Sequence, residues 1–269
     1  MGLYEKGRFV QNGGQMEYIF FGQGDPLLII PGLGDGLASV GKSALQLYFY
    51  YRSYARKARI ISASRPDPVP ENSTTKTMAR EYAALMKNLG YKTFNVLGIS
   101  MGGMIAQHLA ADFPDRVEKT VFAVTVPELD QKGKEIISGW MEMASNNDFK
   151  SLLIDTTLKT FQEPKASRYA RLGLLGARFL KPRDFSNFLA QAQACLEHNG
   201  WDSLDKIQCP TLVISGEKDQ ITSPELGLEL SKILPRGDFF LLEGVGHGGF
   251  EERKKDFSNI IGDFLNDKR

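Results

Sequence analysis

The sequence predicts an α/β protein: a mainly parallel sheet with helices on both faces and a helical segment inserted between two of its strands. Three observations predict it. Short apolar runs recur along the chain and are continuous rather than alternating, as strands covered on both faces require. Most are followed by a glycine-rich break and then a helical pattern, the alternation that gives parallel strands joined by right-handed crossovers. One long interval carries helical patterns and no convincing strand, and a structureless loop of that length would be improbable.

The chain opens differently from the rest. YEKGRFVQNGGQMEYIFFGQG reads as an antiparallel hairpin turning at Asn12-Gly13-Gly14. The strand runs LLIIPG (27–32), ARIISAS (58–64), FNVLGIS (94–100) and KTVFAVTV (119–126) follow, with a helix over TMAREYAALMKNLG (77–90). From Pro127 to Cys209 the rhythm stops. Helical patterns are read at KEIISGWMEMA (134–144), FKSLLIDTTLKTF (149–161) and FSNFLAQAQACLEHN (185–199), with Pro164 and Lys181-Pro182 as breaks. The rhythm then resumes with TLVISG (211–216), a helix over SPELGLELSKILP (223–235) and FFLLEGVG (239–246). Residues 1–127 and 207–269 are therefore expected to form the sheet core, and residues 128–206 a helical cap.

Composition excludes several classes. The chain has 269 residues, 42% hydrophobic and 24% charged, ample for a sizeable core and unlike a disordered or collagenous chain. A formal net charge of +1 gives no electrostatic case for nucleic acid or an anionic membrane. Two cysteines, Cys195 and Cys209, cannot build a disulfide framework or a four-cysteine metal site. No apolar run is long enough for a membrane span, and the N-terminus lacks the apolar stretch of a secretory signal. The expectation is a soluble cytoplasmic protein; oligomeric state is not readable.

Chemistry concentrates at Gly98-Ile99-Ser100-Met101-Gly102, where the strand FNVLG ends and the helical pattern MGGMIAQHLAADF begins. A strained strand-to-helix turn presents a serine hydroxyl at the carboxyl end of the sheet, and the N–H of Met101 can donate to a developing oxyanion. A serine nucleophile needs a base, and the chain has three histidines. His108 shares a helix face with Met101, Met104 and Ile105 and reads as packed. His198 closes a cap helix, where a histidine meets the helix dipole favourably. His247, in the glycine-rich loop GVGHGGF after the last strand, is the expected base. Asp219, in the turn after TLVISG, is the expected orienting acid; Glu217 and Asp130 are weaker choices. The second oxyanion donor is expected from the loop Ile30–Gly36, with the N–H of Leu33 the best candidate.

These parts, PGLG, GISMGG, VISGEKD and GVGHGGFEE in that order, resemble the α/β-hydrolase superfamily over nearly the whole chain. The resemblance implies an eight-stranded sheet, hydrolysis without a cofactor or metal, nucleophile Ser100, acid Asp219, base His247, and oxyanion donors Leu33 and Met101. One departure is plain: many members carry His-Gly at the oxyanion turn, and here it is Pro31-Gly32. Members that act on haloalkanes or epoxides use aspartate where Ser100 stands, which disfavours those reactions.

A competing motif runs from Gly36 to Gly41, Lys42 and Ser43, matching the phosphate-cradling pattern G-x-x-x-x-G-K-S. A P-loop leaves its strand directly, whereas Gly36 lies six residues beyond Ile30, so Lys42 is expected to be an exposed residue near a helix N-terminus. Arg65, after a strand end, is read as a surface arginine, with contact to a substrate carboxylate the alternative. Trp140, Met141, Met143, Phe149, Phe161, Phe179, Phe185 and Phe188 should mostly form the cap's own core and its contact with the sheet domain, some of them lining an apolar acyl site. The function expected is a serine hydrolase acting on a small or medium carboxylic ester, thioester or lactone. Its rivals are an acyltransferase or other reaction of the same three groups, a noncatalytic receptor, and a nucleotide binder. The partner expected is a small ester-like molecule.

Overall fold

The computed structural model describes residues 2–11 and 13–267; Asn12, where the hairpin turn is expected, and the side chain of Phe179 lie outside the described residues. The strands are β1 (Glu5–Gln11), β2 (Gly14–Phe21), β3 (Asp25–Ile30), β4 (Ala58–Ala63), β5 (Phe94–Ile99), β6 (Val117–Ala123), β7 (Thr211–Gly216) and β8 (Gly237–Leu242). They form one eight-stranded sheet in the order β1-β2-β4-β3-β5-β6-β7-β8. The β1–β2 and β2–β4 pairs are antiparallel and all others parallel. The strand order reverses direction at β3, and ligands of open α/β sheets bind at the carboxyl ends near such a point.

The continuous apolar runs follow from burial on both faces. Leu28, Ile30 and Val96 belong to one core with α2 (Thr75–Asn88) and α3 (Met101–Asp112). Leu27, Ile29 and Leu97 belong to a second core, on the other face, with α1 (Ala44–Tyr51). The period-2 alternation of strand side chains sends neighbours to opposite faces, so the central residues of these strands are apolar on both faces, with Asn95 the buried polar exception in β5. Thr74 caps α2 with a reciprocal Thr77 bond, which sets where that helix begins.

Between β6 and β7 run α4 (Gln131–Ser145), α5 (Phe149–Thr160), α6 (Lys165–Leu180) and α7 (Ser186–Leu196). Asp130 and Asp148 cap the first two by accepting from Gly133 and Ser151. Trp140, Phe149, Leu152 and Phe188 bury into the same apolar cluster as Leu33 and Met104 of the sheet layer. Helix α6 is a difference from the sequence reading, which assigned only breaks around it. Its buried stripe is alanine, Ala166, Ala170 and Ala177, while Leu172 and Leu175 face outward. The large apolar residues that normally reveal a helix period are on the wrong face. The remaining helices, α8 (Pro224–Ile233), α9 (Gly249–Glu252) and α10 (Lys254–Asn266), cover β7, β8 and the second core. Among the described residues, no helix is long and apolar enough to cross a membrane.

His198 departs from its expected role. It lies past the end of α7 and is buried, its Nδ1 2.9 Å from Thr75 Oγ1 and its Nε2 3.3 Å from Gln107 Oε1. His108 packs edge-on against it at 5.2 Å and is buried as expected. Burial, reinforced by His108, pushes the His198 imidazole down to about 3, so the ring is a neutral hydrogen-bonding strut and not a charge on a helix end. A base whose folded value is depressed is protonated first in the unfolded chain, so stability falls as pH drops below about 6.5. His198→Asn should remove that part of the acid sensitivity. Urea unfolding of wild type and variant at pH 7 and pH 5 should show their stability difference changing by up to about 2 kcal/mol, with wild type losing more.

Candidate active site

Ser100 stands between β5 and α3 with φ 54° and ψ −121°, a conformation that turns the chain sharply and lifts the side chain off the sheet. The turn is held by Ser100 N–H donating to the Ala123 carbonyl at 2.8 Å and by Gly103 N–H donating to the Ser100 carbonyl at 2.8 Å. Two glycines make the turn possible. A Cβ at Gly98 would meet the Gly102 carbonyl oxygen at 2.5 Å, and one at Gly102 would meet the Ile30 carbonyl oxygen at 2.0 Å. Their absence of side chains lets α3 lie directly on β5 and β3.

Strands β7 and β8 deliver the other two groups from the same sheet edge. His247 Nε2 lies 2.9 Å from Ser100 Oγ, and His247 Nδ1 lies 2.7 Å from Asp219 Oδ2. All three residues come from loops at strand carboxyl ends, 119 and 28 residues apart in the chain. The Asp219 carboxylate is buried and heavily bonded. Its Oδ1 accepts the N–H groups of Ile221 at 2.8 Å and Thr222 at 3.0 Å, and its Oδ2 accepts the Thr222 hydroxyl at 2.7 Å. Thr222 Oγ1 also lies 3.2 Å from His247 Nδ1. The sequence reading missed Thr222; its only signal is its place three residues after the acid, where a turn closes back on the side chain.

The weaker acids are engaged elsewhere, Asp130 at the α4 cap and Glu217 accepting the Gly244 N–H at 2.7 Å. Leu33 opens a short 3₁₀ helix, Leu33–Gly36, directly after β3, and Met101 opens α3. Neither N–H has an acceptor among the described residues. The turn they flank is close: a Cβ at Gly32 would lie 3.3 Å from Ser100 Cβ. Two N–H groups without an acceptor, on residues that line the same space as Ser100, could donate to an oxyanion there.

Ser100 and His247 border a cavity of about 430 Å³ walled mainly by apolar side chains, including Met104, Leu129, Ile137, Trp140, Phe188 and Phe250. Helices α4 and α7 supply several of these walls. Leu33 and Met101 also line it. The arrangement can move a proton from a hydroxyl to an imidazole that a carboxylate holds in place, beside an apolar space sized for a small organic molecule.

One expectation is corrected here and one agrees with the structure. Arg65 is buried, not a surface residue: its guanidinium donates to the Pro31 and Gly32 carbonyls at 2.7 and 2.6 Å. The positive charge is tolerated because Asp35 Oδ2 lies 3.4 Å away. The residues matching the phosphate motif do not form a cradle around Lys42, which is exposed as expected; Gly36 instead ends the 3₁₀ helix, and Ser43 borders the apolar cavity.

A family model described as alpha/beta hydrolase fold matches residues 25–254. The chain belongs to the α/β-hydrolase family. A provisionally named non-heme bromoperoxidase of Mycobacterium tuberculosis is 28% identical to this α/β hydrolase over 244 residues, 86% of this chain and 90% of the relative. A pimeloyl-acyl-carrier-protein methyl ester esterase of Neisseria meningitidis is 28% identical over 184 residues, 64% of this chain and 68% of the relative. The crystal structure of MGS-M2, an α/β hydrolase enzyme from a Medee basin deep-sea metagenome library, superposes with a TM-score of 0.86 at 21% identity, covering 98% of each chain; that likeness is one of fold. These relatives support hydrolase activity for this α/β hydrolase without fixing its substrate.

The contact between α3 and β3 is the structural condition of the site. Gly102→Ala forces a methyl group into the Ile30 carbonyl, and backbone cannot yield as a flexible side chain does. The melting temperature should fall by roughly 5 °C or more, read by calorimetry.

Proposed function

We propose that this α/β hydrolase is a serine hydrolase that cleaves a small or medium carboxylic ester, thioester or lactone through an acyl-enzyme on Ser100. The observation that carries the reading is the unbroken relay Ser100 Oγ–His247–Asp219, with spacings of 2.9 and 2.7 Å, opening on an apolar cavity. Neutral His247 takes the Ser100 proton as Oγ attacks the substrate carbonyl. Asp219 holds the imidazole with its Nδ1 proton toward the carboxylate and stabilises the imidazolium that forms. The tetrahedral oxyanion accepts from the N–H groups of Leu33 and Met101. The imidazolium then gives its proton to the leaving alcohol, thiol or ring oxygen, and the carbon–leaving-group bond breaks. Water repeats the sequence on the acyl-enzyme, releasing the acid and regenerating Ser100.

The walls favour an apolar acyl or alcohol portion, since the cavity offers few polar groups beyond Ser100, His247, Asp35, Ser43, Tyr51 and the threonines Thr156, Thr160 and Thr222. Residues 128–206 are proposed to act as the cap that covers this space, because Leu129, Ile137, Trp140 and Phe188 come from that segment. The methyl ester esterase among the relatives supports ester chemistry.

A fluorophosphonate probe should label the protein at Ser100, mapped by peptide mass spectrometry. A panel of p-nitrophenyl esters should give turnover that Ser100→Ala and His247→Ala each lower by about 10⁴-fold or more. Undiminished turnover in Ser100→Ala, or labelling at another residue, would falsify the mechanism.

A further inference from the structure

The second oxyanion donor stands on a glycine turn that has no side chain to hold it. What holds it is behind the turn. The Arg65 and Asp35 side chains are 0% and 2% exposed. Arg65 Nη1 donates to the Pro31 carbonyl and Nη2 to the Gly32 carbonyl, at 2.7 and 2.6 Å. Asp35 Oδ2 accepts the Arg65 backbone N–H at 3.0 Å and sits 3.4 Å from Nη2. The Asp35 N–H also donates to the Gly32 carbonyl, at 3.2 Å.

The Gly32 carbonyl and the Leu33 N–H belong to one peptide unit. In a trans peptide the two bonds lie in one rigid plane and point in opposite directions. A carbonyl held toward Arg65 therefore sends the Leu33 N–H away from Arg65. Ser100 is the neighbour across that turn: Leu33 and Ser100 border the same cavity, and a Cβ added at Gly32 would lie 3.3 Å from Ser100 Cβ. A guanidinium reaches two successive carbonyls with a fixed fork, and such charge-assisted bonds are about twice as strong as neutral ones.

We infer that Arg65, clamped by Asp35, is a positioning residue that sets the Gly32–Leu33 peptide with its N–H facing Ser100 and so builds the second oxyanion donor. The inference rests on the serine-hydrolase reading above. It gives the Pro31-Gly32 turn a support for its orientation in place of the His-Gly pair of many related chains. Fold stability alone is a weak reason for such a pair, since a buried ion pair gains little over well-packed apolar side chains of the same volume. Arg65 acts through the peptide and does not itself meet the substrate.

The test uses Arg65→Met, Arg65→Lys and Asp35→Asn in the full chain. The probes are the p-nitrophenyl ester that wild type turns over fastest, the alkyl boronic acid of the same acyl length, and the product carboxylate. A boronate forms a tetrahedral anion on Ser100 and reads the oxyanion donors; the trigonal product reads the cavity. Arg65→Met should lower kcat on the order of 100-fold, as a misplaced catalytic donor does. KM and product affinity should stay near wild type, and boronate affinity should fall in step with kcat. Arg65→Lys, which keeps the charge but reaches fewer carbonyls, should recover part of the loss. If Arg65→Met does not fold, Arg65→Lys and Asp35→Asn give the same comparison at smaller amplitude. Unchanged kcat per folded protein, or kcat, boronate and product affinity all falling with the folded fraction, overturns the inference. The two readings fail separately: turnover surviving Ser100→Ala removes the hydrolase mechanism, whereas Ser100-dependent turnover indifferent to Arg65 and Asp35 removes only the positioning role.

Discussion

Helix α3 lies on the sheet with backbone touching backbone, and the geometry of the site hangs from that contact. Gly98 and Gly102 leave no room for a Cβ between β5, α3 and the Ile30 carbonyl. With the helix this close, the chain must turn within one residue, and Ser100 takes a positive φ to do it. The strained residue is then locked by two backbone hydrogen bonds, one to β6 and one into α3. A strained φ persists where surrounding structure over-determines it, and here β6 does so from one side and α3 from the other. The consequences follow in order. The serine hydroxyl is raised at the carboxyl edge, the Met101 N–H is free because it opens a helix, and the loops after β7 and β8 bring Asp219 and His247 to the same edge.

How much of this could be read from the chain depends on whether a residue's role is set locally. The strands were legible because parallel strands buried on both faces leave long apolar runs, as in FNVLGI and TLVISG. Ser100 was legible because its turn imposes glycines at fixed offsets, and His247 because only three histidines exist and two lie on or at the end of helical patterns. The roles that escaped depend on distant partners. Arg65 was expected at the surface, where arginines mostly lie; its counter-charge Asp35 is 30 residues away and both meet only after β3 and β4 pair. His198 was read against its own helix end, whereas its partners are Thr75 and Gln107, brought to it from α2 and α3. Helix α6 escaped for a different reason: alanines face inward and leucines outward, so hydrophobic periodicity gives no useful phase.

The segment from Pro31 to Ser43 shows why letters need their spatial setting. It contains the phosphate-binding pattern, which composition makes roughly tenfold rarer than the serine motif, and the rarer match has no matching geometry. A phosphate cradle requires successive N–H groups to converge on one point directly after a strand. Here the strand ends at Ile30, a 3₁₀ helix intervenes, and Lys42 projects into solvent. The constraint this segment does obey comes from across the sheet. Arg65, just beyond β4, reaches the carbonyls at 31 and 32, and Asp35 returns to Arg65 from within the same 3₁₀ helix. Three residues of turn, one guanidinium and one carboxylate thus close a ring that neither strand could form alone. Desolvating two charges is expensive, and burial pushes the Asp35 carboxyl up while Arg65 opposes that shift. A cost of that kind is recovered where rigidity matters more than net stability. The peptide held by this ring joins Gly32 to Leu33, which lines the same cavity as Ser100; on the reading proposed above its N–H is an oxyanion donor, and a donor fixed before reaction needs no reorganisation when charge develops on the substrate oxygen.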